Sequence, residues 1–372
     1  MPQKPSLTCS VFGQSVSNPV CIRYTLCLGA QSLCSAQIGV KMGPYAFSRN
    51  ETPVFLAPMS GVTDAPFRKQ VMKFGAETTI TEMVAGDDLR NGNQDSQNRI
   101  VVGHYPGIHT VQLVGREAEA LRYGAERARR AGADIIDINM GCPSRRVTGG
   151  LSGSALMRDP AHAQTLIEAV IEGAQGLPVT LKMRLGWDRD EMTAVELALR
   201  AQDVGVQLIA VHGRTRQDFY DGEADWAAIK PVVDAVDLPV IANGDIVCLD
   251  SAKDALKLSS AAGVMVGRAA TGRPWFIAQL QANLNGREYI TPGFDVQIES
   301  LAEQARDSVE LYGQRVGMKV VRKHIAEAIE GWRTDFGVSF SAEMRKSVLT
   351  SQSPDELIST LNGFMAEGLV AA

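Results

Sequence analysis

Three absences narrow the reading of this chain before any motif is considered. Its 6 cysteines contain no Cys-x-x-Cys pair, which removes support for a zinc site or a thioredoxin-like redox pair. No Gly-x-Gly occurs anywhere, so the chain lacks the turn that usually opens a doubly wound dinucleotide-binding sheet. No apolar run approaches the roughly 20 residues that a membrane helix needs. Neither a metal nor a membrane is therefore expected as a partner. Acidic residues are missing from residues 1–50, where Cys9, Cys21, Cys27 and Cys34 also gather. Transit peptides are acid-poor and Ser-rich in this way. Arg23, however, breaks the apolar stretch around Val20–Ala30, and recognisable pattern begins only after Met42. Residues 1–41 are thus expected to be a disordered extension, or to precede the true start. Cys142 and Cys248 are the only cysteines that remain, which suits a reducing, cytoplasmic setting.

What is present is ordinary for a globular enzyme: 372 residues, 45% apolar and 21% charged. The net charge of -5 disfavours a protein that holds nucleic acid by bulk positive potential, yet leaves room for a local basic face. From Val54 onward one cycle repeats. A short run rich in β-branched residues ends in Gly, Asn, Asp or Ser, and an amphipathic helix follows. The expected strands are Val54–Met59, Thr78–Val84, Thr110–Val114, Ile135–Asn139, Val179–Met183, Leu208–His212, Val240–Asn243 and Gly263–Val266. The expected helices include Glu117–Ala131, Pro160–Ala174, Glu191–Val204, Trp226–Val236 and Ser251–Leu258. Such alternation predicts an α/β fold, a (β/α)8 TIM barrel spanning residues 42–290. After Thr291–Pro292 no strand is evident. Helical pattern runs through Val296–Leu311, Gln314–Trp332, Ser341–Thr350 and Pro354–Glu367, so residues 291–372 read as a small C-terminal all-helical domain. No coiled coil or obvious apolar patch stands out, and a monomer is expected.

In a barrel of this kind, catalytic groups sit at the C-terminal ends of the strands. The last two strands end in Asn243-Gly244-Asp245 and Gly267-Arg268, which suit a phosphate: glycine lets the backbone approach and arginine neutralises charge. Ordinary turn chemistry is the bland alternative. Lys182 alternates into the barrel mouth, where an unpaired ammonium is costly. It calls for an anion such as a reduced flavin, a salt bridge to Asp137, or a Schiff-base role. Cys142 lies between Gly141 and Pro143, before the glycine-rich run Gly149–Gly153. A positioned thiol there can protonate a substrate carbon whose neighbour receives hydride. Asn139 points to the same space and can hydrogen-bond a planar, amide-like substrate. His212 can do the same or be a satisfied strand-end histidine.

Several runs carry a resemblance: Ala57-Pro58-Met59-Ser60-Gly61-Val62-Thr63-Asp64, Asn139-Met140-Gly141-Cys142-Pro143 and Lys182-Met183-Arg184-Leu185-Gly186. His212-Gly213-Arg214-Thr215-Arg216, Asn243-Gly244-Asp245-Ile246 and Gly267-Arg268-Ala269 join them in order. Together they resemble the tRNA-dihydrouridine synthase family, and Met318–His324 leans toward its bacterial branch B. The resemblance implies an FMN enzyme, driven by NADPH, that reduces the carbon 5–carbon 6 double bond of uridines in tRNA. It implies FMN contacts at Pro58, Met59, Ser60, Gln112, Lys182, Asn243, Gly244, Asp245, Gly267 and Arg268, with His212 expected beside them. Cys142 is the implied catalytic acid. Asn139, Arg184 and Arg214 are expected to bind substrate. On the helix Gln314–Trp332, Arg315, Lys319, Arg322 and Lys323 share a face, as phosphate-backbone recognition needs. That stripe is set against a tail in which acidic residues outnumber basic ones. Another FMN barrel acting on a free pyrimidine, similar to dihydroorotate dehydrogenase, is the alternative, but it leaves the helical tail unexplained. A flavin-free lyase using Lys182, and a retired barrel that only binds RNA, are further readings.

Overall fold

A computed structural model describes residues 43–45, 51–101 and 107–366, all within one compact unit of residues 39–372. The expected extension at residues 1–41 lies outside the described residues.

The strands are β1 (Val54–Leu56), β2 (Thr78–Ile80), β3 (Val84–Ala85), β4 (Ile108–Val114), β5 (Ile135–Met140), β6 (Val179–Arg184), β7 (Ile209–His212), β8 (Val240–Asn243) and β9 (Gly263–Val266). All pair in parallel, in the order β1-β9-β8-β7-β6-β5-β4-β2, with β3 beside the far end of β4. Since β2 and β3 share one position, this is a nearly closed barrel of eight. The helices α1 (Ala65–Lys73), α2 (Gly86–Arg90), α3 (Gln94–Ile100), α4 (Ala118–Arg130), α5 (Arg145–Thr148), α6 (Pro160–Ala174) and α7 (Ala194–Asp203) follow the early strands. Then come α8 (Lys230–Ala235), α9 (Leu249–Ser259) and α10 (Phe276–Leu284), and the tail carries α11 (Phe294–Tyr312), α12 (Gln314–Phe336), α13 (Ala342–Thr350) and α14 (Pro354–Ala366). No helix of the described residues is long and apolar enough to cross a membrane.

Two helices depart from expectation for local reasons. The stretch Trp226–Val236 is a 3-10 turn, Ala227–Ile229, followed by α8, because Pro231 in the first turn cannot donate a backbone hydrogen bond. The helix expected from Glu191 starts instead at Ala194: the Asp188 carboxylate takes the N–H groups of Asp190 and Glu191, turning the chain back on itself.

Period-two alternation builds the barrel interior. On β5, Ile136, Ile138 and Met140 face the helices, while Ile135, Asp137 and Asn139 face inward. A floor of Tyr45, Phe55, Ile135, Leu208, Ile241 and Met265 closes the barrel from below. Each such side chain contributes on the order of 1.5–3 kcal/mol by leaving water. Above that floor the inward positions turn polar. Tail helices pack on their own core around Trp332, Ile325 and Leu301. His324 of α12 joins them to the barrel: its Nδ1 accepts from Gly272 N–H at 3.3 Å and its Nε2 donates to Val62 O at 3.2 Å.

Candidate active site

The strand ends surround a cavity of about 980 Å³, large enough for a cofactor and part of a second ligand. Pro58, Met59 and Ser60 from the β1 end line it, as do Gln112, Asn139, Cys142, Lys182, Arg184 and His212. Asn243, Gly244, Asp245, Gly267 and Arg268 complete the wall.

Lys182 is buried, and its Nζ donates to Asn243 Oδ1 at 2.9 Å. No carboxylate oxygen of the described residues lies within ion-pair distance of it, because Asp137 is engaged by Gln112 at 2.7 Å and Thr180 at 2.6 Å. The salt-bridge alternative for Lys182 is therefore absent. Burial, then the neighbouring Arg184, pushes its pKa down to about 8. At neutral pH a cation with no carboxylate in direct contact faces the cavity, its charge offset only at a distance by Asp137, and an anionic ligand would relieve it.

Cys142 follows β5 on a tightly held turn. Its N–H donates to Asn139 Oδ1 at 2.9 Å, and its carbonyl accepts from Ser154 N–H at 3.1 Å and Ser154 Oγ at 2.9 Å. Gly153 has φ of 59°, and a Cβ there would sit 2.9 Å from the Cys142 carbonyl oxygen, so only glycine fits. Burial pushes the thiol pKa up, with the Ser144 N–H and the charges of Arg184 and Lys182 pulling the other way. The sulfur therefore keeps its proton at neutral pH, as an acid must and a thiolate nucleophile must not.

Arg184 Nε donates to Gly141 O at 2.8 Å and Nη1 to Thr215 O at 2.6 Å, while its guanidinium lies 5.5 Å from the Tyr220 ring centre. Among the expected strand-end residues, Arg214 is the one that the structure does not bring into the cavity. It is buried behind the wall, where it forks onto Asp245 at 3.1 and 2.6 Å and donates to Gly222 O at 2.6 Å. Burial raises the Asp245 carboxyl, but hydrogen bonds from Arg214 and Ala224 N–H and the charge of Arg268 hold it below its usual range. His212 stays neutral, since burial and then the cations Lys182, Arg184, Arg214 and Arg268 push its pKa well below 6.5.

The β8 and β9 turns have the geometry of a cradle. Gly244 has φ of 117°, and a Cβ there would lie 2.7 Å from the Ala224 Cβ. Asp245 is also left-handed, at φ 51°, which for a non-glycine marks stored backbone strain. At Gly267 a Cβ would meet only the Met59 sulfur, at 3.6 Å. Arg268 stands over the mouth with most of its side chain exposed, one Nη on Asp245 at 3.2 Å and its guanidinium 5.7 Å from Tyr220. Two glycines, one exposed arginine and one unpaired buried ammonium fit a phosphate-bearing anion such as a flavin mononucleotide.

The basic stripe divides. Arg315 and Lys319 on α12 are exposed, and neither has a carboxylate within ion-pair distance among the described residues. Arg322 and Lys323 are half-buried; the Lys323 ammonium lies 3.1 Å from where a Cβ on Gly61 would sit, at the barrel mouth. Sequence reasoning missed Tyr220, which lines the cavity between Arg184 and Arg268, and the buried pair Asp64 and Glu82 beneath the β1 turn. Tyr220 carried no signal, since it follows the recognisable Arg214–Arg216 run in an unpatterned loop.

Comparison with known proteins places these features. A family model described as dihydrouridine synthase matches residues 55–361. A probable tRNA-dihydrouridine synthase of Rhodobacter capsulatus is 44% identical over 321 residues, covering 86% of this chain and 96% of its own. The tRNA-dihydrouridine synthase B of Pseudomonas putida is 40% identical, covering 79% of this chain and 85% of its own. Among solved structures, an old yellow enzyme homologue from Zymomonas mobilis aligns with a TM-score of 0.47 at 11% identity, covering 71% of this chain and 96% of that one.

Proposed function

Because the chain belongs to the dihydrouridine synthase family, whose members are flavin-dependent oxidoreductases, we propose that it reduces uridines in tRNA at the carbon 5–carbon 6 bond, using FMN and NADPH. The observation that carries this reading is the pairing, in one cavity, of a buried ammonium at Lys182 that touches no carboxylate with a protonated thiol at Cys142. FMN, once reduced by NADPH, would supply hydride to carbon 6 of the base.

The chain's own residues supply the rest. Lys182, oriented by Asn243, would hold the anionic edge of a bound cofactor, and Gly244, Gly267 and Arg268 would receive its phosphate. Pro58, Met59, Ser60, Gln112, His212 and Asp245 complete its wall. Cys142 Sγ gives its proton to carbon 5, and Asn139 and Arg184 hold the uracil edge. Arg214 acts through Asp245, whose turn it keeps in shape. A base held inside folded tRNA must leave its stack to reach this depth, at a cost of a few kcal/mol. The exposed Arg315 and Lys319 meet backbone phosphate outside the mouth, with Arg322 and Lys323 nearer its rim. Relatives named type B support placement in the bacterial branch B. The same reading makes the protein a cytoplasmic monomer.

The test is mass spectrometry of unmodified tRNA after incubation with the protein and NADPH. Each uridine reduced gains two hydrogens, and NADPH must be required. Unchanged tRNA beside steady consumption of NADPH by a free pyrimidine would replace this function with the dihydroorotate dehydrogenase-like alternative.

A further inference from the structure

Asp137 has no part in the chemistry described so far, yet it is a buried carboxylate two residues below Asn139 on β5. Burying such a group costs several kcal/mol unless it is well bonded. It receives two short hydrogen bonds: Thr180 Oγ1 donates to Oδ1 at 2.6 Å, and Gln112 Nε2 donates to Oδ2 at 2.7 Å. An ionised carboxylate can only accept. Gln112 must therefore turn its NH2 toward Asp137 and its Oε1 away. That oxygen accepts from Asn139 Nδ2 at 2.8 Å. Asn139 must then turn its own Oδ1 outward, where the N–H groups of Gly141 and Cys142 donate to it at 3.2 and 2.9 Å. The chain Asp137, Gln112, Asn139, Cys142 runs from a pure acceptor to backbone donors, and only one orientation of each amide satisfies both ends.

We propose that Asp137 is a positioning residue: through Gln112 and Asn139 it anchors the turn that carries Cys142 and fixes which polar edge of each amide faces the cavity. Asp137, Gln112 and Asn139 are buried while Cys142 is half-buried at the cavity wall, so the bonds nearest the carboxylate are shielded from water, and a charge at that end strengthens the series. Without Asp137, the Gln112 NH2 is left buried and unpaired, and the amide swings to find a partner. Asn139 then loses its only side-chain donor contact, and the Cys142 turn is held by Ser154 and Arg184 alone. This inference rests on the proposed reaction for its consequence, but not for its geometry.

The test compares Asp137→Leu, which is close in size and cannot accept, with Asp137→Asn. Asparagine can still accept from Gln112 through its oxygen while its NH2 donates to Thr180. In flavin-free protein, iodoacetamide labelling of the Cys142 peptide should quicken about threefold or more in Asp137→Leu and stay near wild type in Asp137→Asn. In flavin-loaded protein, Asp137→Leu should keep its rate of reduction by NADPH within about twofold and lose about tenfold or more in reoxidation by tRNA. Should Asp137→Leu fail to fold, Gln112→Met breaks the same series one link later and should quicken the labelling alike. Unchanged Cys142 labelling in Asp137→Leu, or in Gln112→Met where that variant stands in for it, overturns the proposal, as does an Asp137→Asn variant as impaired as Asp137→Leu. If wild-type flavin is not reoxidised by tRNA, the proposed function fails, while the labelling result still decides the role of Asp137.

Discussion

At the scale of single residues, Cys142 and Lys182 are opposite cases of burial. Burial favours the neutral form of each, which leaves Cys142 with its proton and makes Lys182 reluctant to keep its own. Replacing Cys142 with Ala should leave flavin content and bleaching by NADPH intact and slow tRNA reduction by about 10²–10⁴, the usual worth of a positioned acid. Rapid-mixing absorbance separates the two half-reactions, and full tRNA reduction would remove the acid role. For Lys182 the sign follows from linkage. Its pKa falls from 10.5 unfolded to about 8 folded, so between those pH values the unfolded chain binds more protons and stability from this group rises with pH. Flavin-free Lys182→Met should therefore be more stable than wild type at pH 7, by about 1–3 kcal/mol, with the gap closing toward pH 10. Thermal unfolding at both pH values checks this; the same variant should lose its flavin. Both residues were legible in the sequence because each stands at a strand end in a recognisable run. Asp137 was legible only as a candidate salt-bridge partner of Lys182, and its actual partners, Gln112 and Thr180, were not legible. Alternation gives the face of a strand, whereas the Gln112 bond depends on the register between β4 and β5.

At the scale of elements, α12 illustrates how a helix face divides under tertiary contact. Spacing gathers Arg315, Lys319, Arg322 and Lys323 on one side, yet His324 draws the middle of the helix against Val62 and Gly272. Arg322 and Lys323 are half-buried as a result, and Lys323 sits near the buried Asp64, whose pKa burial raises and whose charged form the Lys323 ammonium helps to favour. Changing Arg315 and Lys319 together to Ala should weaken tRNA binding and reduce the slope of log affinity against log salt by about 2, without loss of stability. An unchanged salt slope would show that tRNA lies elsewhere. Lys323→Ala, by contrast, should lower the melting temperature as well as affinity. Most strand positions were read well because buried parallel strands are continuous apolar runs bounded by turns, but the expected strand Thr78–Val84 divides into β2 and β3. Helix starts near Asp188 and Pro231 were read poorly, because one side-chain turn or one missing N–H decides them.

At the scale of the whole molecule, buried ionisable groups oppose one another in pH. Burial raises Asp64 and Asp137 from 3.8 to about 6, so as pH falls through 6 the folded state takes up protons first and gains stability. His324 is lowered from 6.5 to about 3, and His212 is lowered as well, chiefly by burial. For these the unfolded chain takes up protons first, and stability is lost over the same range. Glu77, which burial also raises, adds to the gains, and gains set against losses leave the flavin-free protein with little change in stability from about pH 6 to pH 4. Below that, Asp218, Asp245 and Glu303, all held below their usual range, give up their ion pairs and stability falls. Urea midpoints across pH 3–7 would reveal a plateau or, against expectation, a steady decline. The central claim, that the barrel mouth joins a flavin to a tRNA uridine, is tested most directly by an anaerobic absorption titration of the purified protein. Flavin bands that bleach on adding NADPH and return on adding unmodified tRNA, but not on adding tRNA already fully reduced at its target, are the predicted result. A protein that stays colourless after FMN is supplied, or whose bleached flavin ignores unmodified tRNA, would contradict it.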